Sequence, residues 1–161
     1  MIQLTVYGKA QPAGSKRGFK AKDGGVLIVD ANPKSRDWKN AVSSEAAKLQ
    51  LRELLDGPLA VRFVFYAPRP KGHFGTGRSI GILKATAPAY PTGRPDALKL
   101  SRAVEDALTG VVWRDDSQIV DECIAKRYGE PARVEITVAP VAEGIELAEL
   151  AVVPGEARRL F

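Results

Sequence analysis

The stretch from Leu59 to Tyr66 constrains the fold more than any other part of the chain. Leu59, Val61, Phe63 and Phe65 alternate with Ala60, Arg62, Val64 and Tyr66, which is the period of a β-strand. Pro68 and Pro70 end it, because proline cannot donate to a sheet ladder. A strand with one wholly apolar face has to join other strands and be covered by a second layer.

The rest of the sequence supplies both. Ile2, Leu4 and Val6 alternate with polar neighbours and predict a half-buried first strand ending at Gly8, followed by a loop holding Gly14, Ser15, Lys16, Arg17 and Gly18. Val26 to Val29 reads as a short strand. Asn32-Pro33 then opens a helix expected from Ser35 to Leu55, with Trp38, Val42, Ala46 and Leu49 at helical spacing and Trp38 packing the core. Residues 67–95 read as a long loop with a short irregular strand at Ile80 to Leu83. A second helix spans Asp96 to Leu108 and stops at Gly110. Val111 to Trp113 begins a strand that Arg114-Asp115-Asp116-Ser117 interrupts, and two more strands run from Gln118 to Tyr128 and from Arg133 to Ala139. The order β, β, α, β, α, β, β predicts an α+β fold, a small mixed sheet with two main helices covering one face. The domain is expected over residues 1–139. Residues 140–161 read as a partly mobile extension, with a turn or two of helix around Ile145, Leu147 and Leu150.

At 161 residues the chain can bury about 70% of its unfolded surface and needs no staple. Cys123 and His73 are the only residues of their types, which argues against a disulfide framework, a Cys/His zinc site and a Cys/His catalytic pair. The start lacks a charged leader, and no apolar run approaches the roughly 20 residues of a membrane span. The expectation is a soluble protein of a reducing cytoplasm, in a bacterial cell or a phage-infected host.

Charge is segregated along the chain. From Ala60 to Arg102 there are eight Lys or Arg and one acid, Asp96. From Val104 to Glu130 the acids Glu105, Asp106, Asp115, Asp116, Asp121, Glu122 and Glu130 outnumber Arg114, Lys126 and Arg127. A purely electrostatic DNA binder gains nothing from carboxylates beside the phosphates, whereas a metal-dependent nuclease requires them. The bland alternative is a charge-mixed solvated surface.

The second helix brings these blocks together. Leu100, Ala103, Val104, Ala107 and Leu108 share its apolar face, while Lys99, Arg102 and Asp106 gather on another side within roughly 60° of one another. Asp96 sits at the helix start, where capping is a sufficient structural role, and pairing with Arg102 would suffice for Asp106. Asp115-Asp116 forms a turn in which adjacent acids repel unless a cation or hydrogen-bond donors offset them. Mg²⁺, which takes hard oxygen ligands and keeps several waters, suits such carboxylates. Lys99 or Arg102 could then hold a phosphate.

Lys16, Arg17, Lys20 and Lys22 on the early loop, with Arg69, Lys71 and Arg94 in the basic block, are candidate DNA contacts. Gly72-His73-Phe74-Gly75-Thr76-Gly77 lacks Walker spacing, so no nucleotide cofactor is expected, and His73 reads as a loop residue. Tyr90, Phe74 and Trp113 could stack on unpaired bases, although the strand-like surroundings of Trp113 favour the core.

The run Arg94-Pro95-Asp96, Arg102, and Asp106-Ala107-Leu108-Thr109-Gly110 through Asp115-Asp116-Ser117-Gln118-Ile119-Val120 resembles the RusA family of Holliday junction resolvases. The family pattern is Lys-Pro-Asp-x-Asp-Asn-x-x-Lys-x-x-x-Asp-Ala-Leu, then Gly and an Asp-Asp pair before a strand. The likeness is strongest over residues 94–120. The opening strand with Gly8, the loop at Lys16-Arg17 and the strand end Tyr66-Ala67-Pro68 extend it to about Val138. The resemblance implies a homodimer that binds four-way DNA junctions and cuts two opposed strands with Mg²⁺, for which Mn²⁺ can substitute. It puts the family's first metal carboxylate on Asp96, the carboxylate of the Asp-Asp turn on Asp116 and the helix cation on Arg102. Asp106 and Asp115 match further family positions.

Two positions depart from the pattern. The family's second aspartate falls on Leu98 and the following asparagine on Lys99. Leu98 lies outside the helix's apolar face, which leaves a partner subunit or a neighbouring loop to cover it. Arg102 keeps the family's positive charge but cannot deprotonate, so it would clamp phosphate rather than transfer a proton. The expected metal set is therefore Asp96, Asp115 and Asp116 with Asp106 nearby. Three other readings stand: a non-catalytic junction binder, a nuclease for flaps, forks or RNA, and an interaction protein without nucleic acid.

Overall fold

The structure, a computed structural model, describes residues 1–14, 16–20, 24–30 and 32–141. The strands are β1 (Ile2–Tyr7), β2 (Lys16–Lys20), β3 (Val26–Asp30), β4 (Leu59–Ala67), β5 (Ile119–Tyr128) and β6 (Arg133–Pro140). The helices are α1 (Pro33–Ala47) and α2 (Ala97–Leu108). Four strands form one mixed sheet in the order β1-β6-β4-β5; β4 and β5 run parallel and the other neighbours antiparallel. β2 and β3 make a separate hairpin.

Register puts the apolar positions opposite one another. Leu4, Ile136, Phe63 and Ile124 form one row across all four strands, with Ile2, Val138 and Val61 in the row beside it and Val6, Val134 and Phe65 in a third. The same core cluster holds Trp38, Val42 and Ala46 of α1 and Leu100, Ala103, Val104, Ala107 and Leu108 of α2, so both helices cover one face, as expected. β4 departs from simple alternation: Ala60 and Val64 are buried as well. It is an interior strand, so side chains on β5 and β6 crowd these two residues from both sides.

Asn32 caps α1 by accepting from the Lys34 N–H at 3.2 Å, and Pro33 occupies the first turn. Trp38 is 5% exposed and packs against Gly8, whose φ of +133° no larger residue adopts easily. At Gly110 (φ +77°) the chain leaves α2 and folds back sharply.

Four expectations are corrected. The loop at Gly14 to Gly18 becomes strand from Lys16, because β3 offers it a complete antiparallel ladder. α1 ends at Ala47 rather than Leu55, with Gln50 taking a left-handed φ of 49°. Val111 to Trp113 is a tight turn, not a strand: the Val111 and Val112 N–H groups both donate to the Leu108 carbonyl. Ile80 to Leu83 makes only isolated bridges to Phe74 and Gly75. The turn of helix expected near residues 145–150 lies outside the described residues. Among the described residues no helix is long and apolar enough to cross a membrane.

Candidate active site

With a period of two, Glu122, Ile124, Lys126 and Tyr128 project from the same side of β5, and Ile124 belongs to the core beneath α2. α2 therefore runs beside the helix-facing side of β5. Lys126 Nζ donates to the Gly93 carbonyl at 2.6 Å and the Pro95 carbonyl at 2.9 Å, strapping down the segment that leads into Asp96. Further along the helix, Glu105 meets Glu122.

Asp96 is the N-cap residue of α2, but its side chain makes no capping hydrogen bond. The structural role open to it in sequence is therefore unused. Its carboxylate is 64% exposed and pairs loosely with Lys99, at 3.5 Å, one turn on. Arg102 is exposed on the same helix.

Asp115 and Asp116 divide their work. Asp115 caps a short 3-10 turn over Asp116–Gln118, accepting from the Ser117 N–H at 2.9 Å. Bonds from the Ser117 side chain and backbone hold its carboxyl below the usual range. Gln118 fastens this turn to the fold: its Oε1 accepts from the Arg114 and Asp115 N–H groups, and its Nε2 donates to the Leu55 and Gly57 carbonyls at 3.1 Å. Asp116 opens instead onto an exposed cleft of about 300 Å³ that it lines with Glu105, Asp121 and Glu122.

Glu105 carries the electrostatic strain of that cleft. Burial, then hydrogen bonding and repulsion from Glu122 with a smaller contribution from Asp116, push its carboxyl from 4.5 up to about 7; a Ser101 bond opposes this and is outweighed. Neither Glu105 nor Glu122 stood out in sequence beyond the charge count. The available signal was Glu105 lying two helical turns from Leu98 on the same stripe, about 20° away.

The sequence-selected acids sit on separate elements, Asp96 at the start of α2, Asp106 near its end and Asp115 and Asp116 in the turn before β5. Nine residues of helix separate Asp96 from Glu105, about 13 Å of axial rise. Asp106 is engaged by Lys39 Nζ of α1 at 2.6 Å, a tether between the helices rather than the Arg102 pair expected locally. Leu98 is 71% exposed. Among the described residues no three His, Cys, Asp or Glu side chains form a metal-binding group. The donor chemistry nonetheless fits Mg²⁺, which is usually bound by one or two carboxylates, waters and substrate phosphate rather than by a complete protein cage. Crowded carboxylates such as Asp116, Glu105 and Glu122 are relieved by such a cation.

The basic residues singled out in sequence lie on several elements. Lys16 and Arg17 lie in β2, Lys20, Lys71 and Arg94 are exposed, and Arg69 stacks over the Tyr128 ring at 4.3 Å while donating to the Pro88 carbonyl. Arg127 lies 5.1 Å from the centre of the exposed Tyr90 ring. Trp113 is fully buried, its Nε1 donating to Thr109 Oγ1 at 3.2 Å, and so belongs to the core. His73 packs edge-on against Tyr128.

The fold is α+β, with carboxylates and cations carried together on α2 and β5. The family model described as endodeoxyribonuclease RusA matches residues 9–139, and the chain belongs to that family. Membership implies endodeoxyribonuclease activity. The chain is also 31% identical over 146 residues to the uncharacterized protein YqaN of Bacillus subtilis (strain 168), covering 88% of this chain and 97% of that protein.

Proposed function

We infer that this protein is a Mg²⁺-dependent endonuclease that resolves Holliday junctions by paired cleavage of opposed strands, acting as a homodimer. The observation that carries the reading is the acidic cleft at Asp116. There burial, and then the hydrogen bond and repulsion from Glu122, push Glu105 to about 7, and the same cleft takes in Asp116, Asp121 and Glu122. A stable fold has little reason to keep such repulsion on its surface, whereas a cation-assisted phosphodiesterase does.

Asp116 and Asp96 are the principal carboxylates in this proposal. Asp115 sets the turn that aims Asp116, and Asp106 acts by holding α2 against α1. A bound Mg²⁺ supplies activation of water and neutralisation of charge building on the phosphodiester. The remaining work falls to the chain itself. Lys99 exchanges its loose pair with Asp96 for a phosphate oxygen, Arg102 clamps the same strand with a fixed charge, and Asp96 orients water through its exposed oxygens. Lys16, Arg17, Lys20, Lys71 and Arg94 position the DNA arms through their phosphates. Cutting two opposed strands requires two sites, which a two-fold dimer provides.

The test compares cleavage of four-way, three-way and linear DNA at one salt concentration with Mg²⁺. Paired nicks on the four-way junction, at least about tenfold faster than on linear duplex, are expected; each factor of ten is worth about 1.4 kcal/mol of transition-state binding. Equal rates on all three would overturn junction specificity. The exposed Leu98, where the family has an aspartate, favours one second reading, a junction binder without cleavage. Tight junction binding with no nicking in either Mg²⁺ or Mn²⁺ would select it.

A further inference from the structure

A second cavity, of about 310 Å³, is lined by Arg94 and Pro95 just before Asp96 and shares no residue with the acidic cleft. The ends of β4 and β5 form its walls through Tyr66, Ala67 and Tyr128, and the proline-rich segment leading to α2 closes it through Pro91 and Pro95. Leu100 of α2 and Phe65 of β4, both buried, contribute apolar surface. Its volume is at the low end for small-ligand sites, and its walls are mostly hydrocarbon and ring.

Three features identify what this cavity suits. Its walls are apolar while Lys9 and Arg94 border it with exposed side chains, so an occupant with a flat apolar body and a negatively charged attachment matches both parts. Arg69 over the Tyr128 ring at 4.3 Å and Arg133 over the Tyr66 ring at 3.8 Å each cover one face of a ring and add cations beside the cavity, where an occupant's phosphate would be attracted. Third, Pro95 lines the cavity and immediately precedes Asp96, so an occupant's phosphate would lie beside the candidate reacting carboxylate.

We propose that this cavity receives one unstacked nucleobase from the branch point, the base adjoining the phosphodiester presented to Asp96. The inference rests on the reading of this chain as a nuclease for branched DNA. A paired base within a duplex cannot enter so confined a space, whereas the centre of a four-way junction offers bases that cost little to unstack. The pocket thereby gives the enzyme both its preference for branched substrates and a base preference at the cut. Lys126 acts as a positioning residue here. Its bonds to the Gly93 and Pro95 carbonyls fix one wall and the start of α2 together, so occupation of the pocket and placement of Asp96 are mechanically linked.

The experiment places 2-aminopurine, one position at a time, at the branch nucleotides of a synthetic four-way junction. It is bound by the full-length protein with Ca²⁺ in place of Mg²⁺. One or two positions are expected to change fluorescence by about twofold or more on binding, as a stacked probe enters a new environment. Ala67→Phe at the end of β4 and Ala132→Phe just before β6, which fill the cavity from two separate segments, are each expected to abolish that change. Binding of the junction itself should weaken by less than about fivefold, because phosphate contacts supply most of the affinity. In Mg²⁺ the same variants should lose discrimination among bases beside the cut. Each variant's thermal transition is compared with that of the parent, and a folded result for either is sufficient.

Tight junction binding with no fluorescence change at any branch nucleotide overturns the pocket while leaving the nuclease reading intact. The same holds if the change persists in a folded, filled variant, or if an equal change occurs on linear duplex. Loss of self-association in the filled variants would mean that a second copy of the chain occupies the cavity, which also overturns it. Absence of any salt-dependent junction binding overturns both readings together.

Discussion

Glu105 allows the electrostatics of the cleft to be measured without DNA. Its carboxyl is pushed from 4.5 to about 7 by burial and by Glu122. Between those values the unfolded chain has released a proton that the folded chain still holds. Stability attributable to this group therefore falls as pH rises through that window and is constant above it. At full strength the displacement corresponds to about 3 kcal/mol; Glu105 is partly exposed and water screens its neighbours, which leaves about 1 to 2 kcal/mol. Glu105→Gln keeps the shape and removes the titration. Thermal unfolding in EDTA should give nearly equal melting temperatures for parent and variant at about pH 5, and a variant more stable by about 3 to 6 °C at about pH 8.5. The difference should have its midpoint at about pH 6, between the unfolded and folded values. A pH-independent difference, or a variant less stable at about pH 8.5, would refute the crowding of Glu105, Glu122 and Asp116.

Two further substitutions test how the site is held. Gln118→Ala removes the amide that ties the Asp116 turn to Leu55 and Gly57, and it should cost about 1 to 3 kcal/mol by denaturant unfolding. Displacement of the turn should also slow junction cleavage by about tenfold to a hundredfold; unchanged cleavage in a destabilised variant would detach the turn from the chemistry. Asp106→Asn breaks the tether to Lys39 and should lower stability by about 0.5 to 1 kcal/mol, less at high salt, with cleavage within a few-fold of the parent. A loss of cleavage beyond about a hundredfold would return Asp106 to the metal set.

The parts of this fold legible in sequence are those where one residue's neighbours along the chain decide its place. Leu59 to Tyr66 read as a strand because Leu59, Val61, Phe63 and Phe65 fall at every second position, and Trp38 read as core because Val42 and Ala46 share its face. Val111 to Trp113 misled for the complementary reason. A three-residue apolar run has no period, and what buries Val112 and Trp113 is the fold-back after Gly110, not a sheet partner. β2 was hidden because Lys16 to Lys20 carries no strand pattern of its own and takes its conformation from β3.

The site divides in the same way. Asp96, Asp115 and Asp116 were visible through their motif, and their positions at a helix start and in a capped turn follow from local rules. Glu105, Lys126 and Lys39 were not, because their partners are Glu122 on β5, the carbonyls of Gly93 and Pro95, and Asp106 on the other helix. Only the packing of α2 along β5 and against α1 brings these groups together.

The most direct measurement is single-turnover cleavage of a synthetic four-way junction in Mg²⁺ by the parent, Asp96→Asn and Asp116→Asn, with junction binding measured alongside. Each substitution should lower the cleavage rate by at least about a hundredfold, a loss of roughly 3 kcal/mol of transition-state stabilisation, while binding stays within a few-fold of the parent. Full cleavage by both variants would contradict the assignment of Asp96 and Asp116 as the reacting carboxylates.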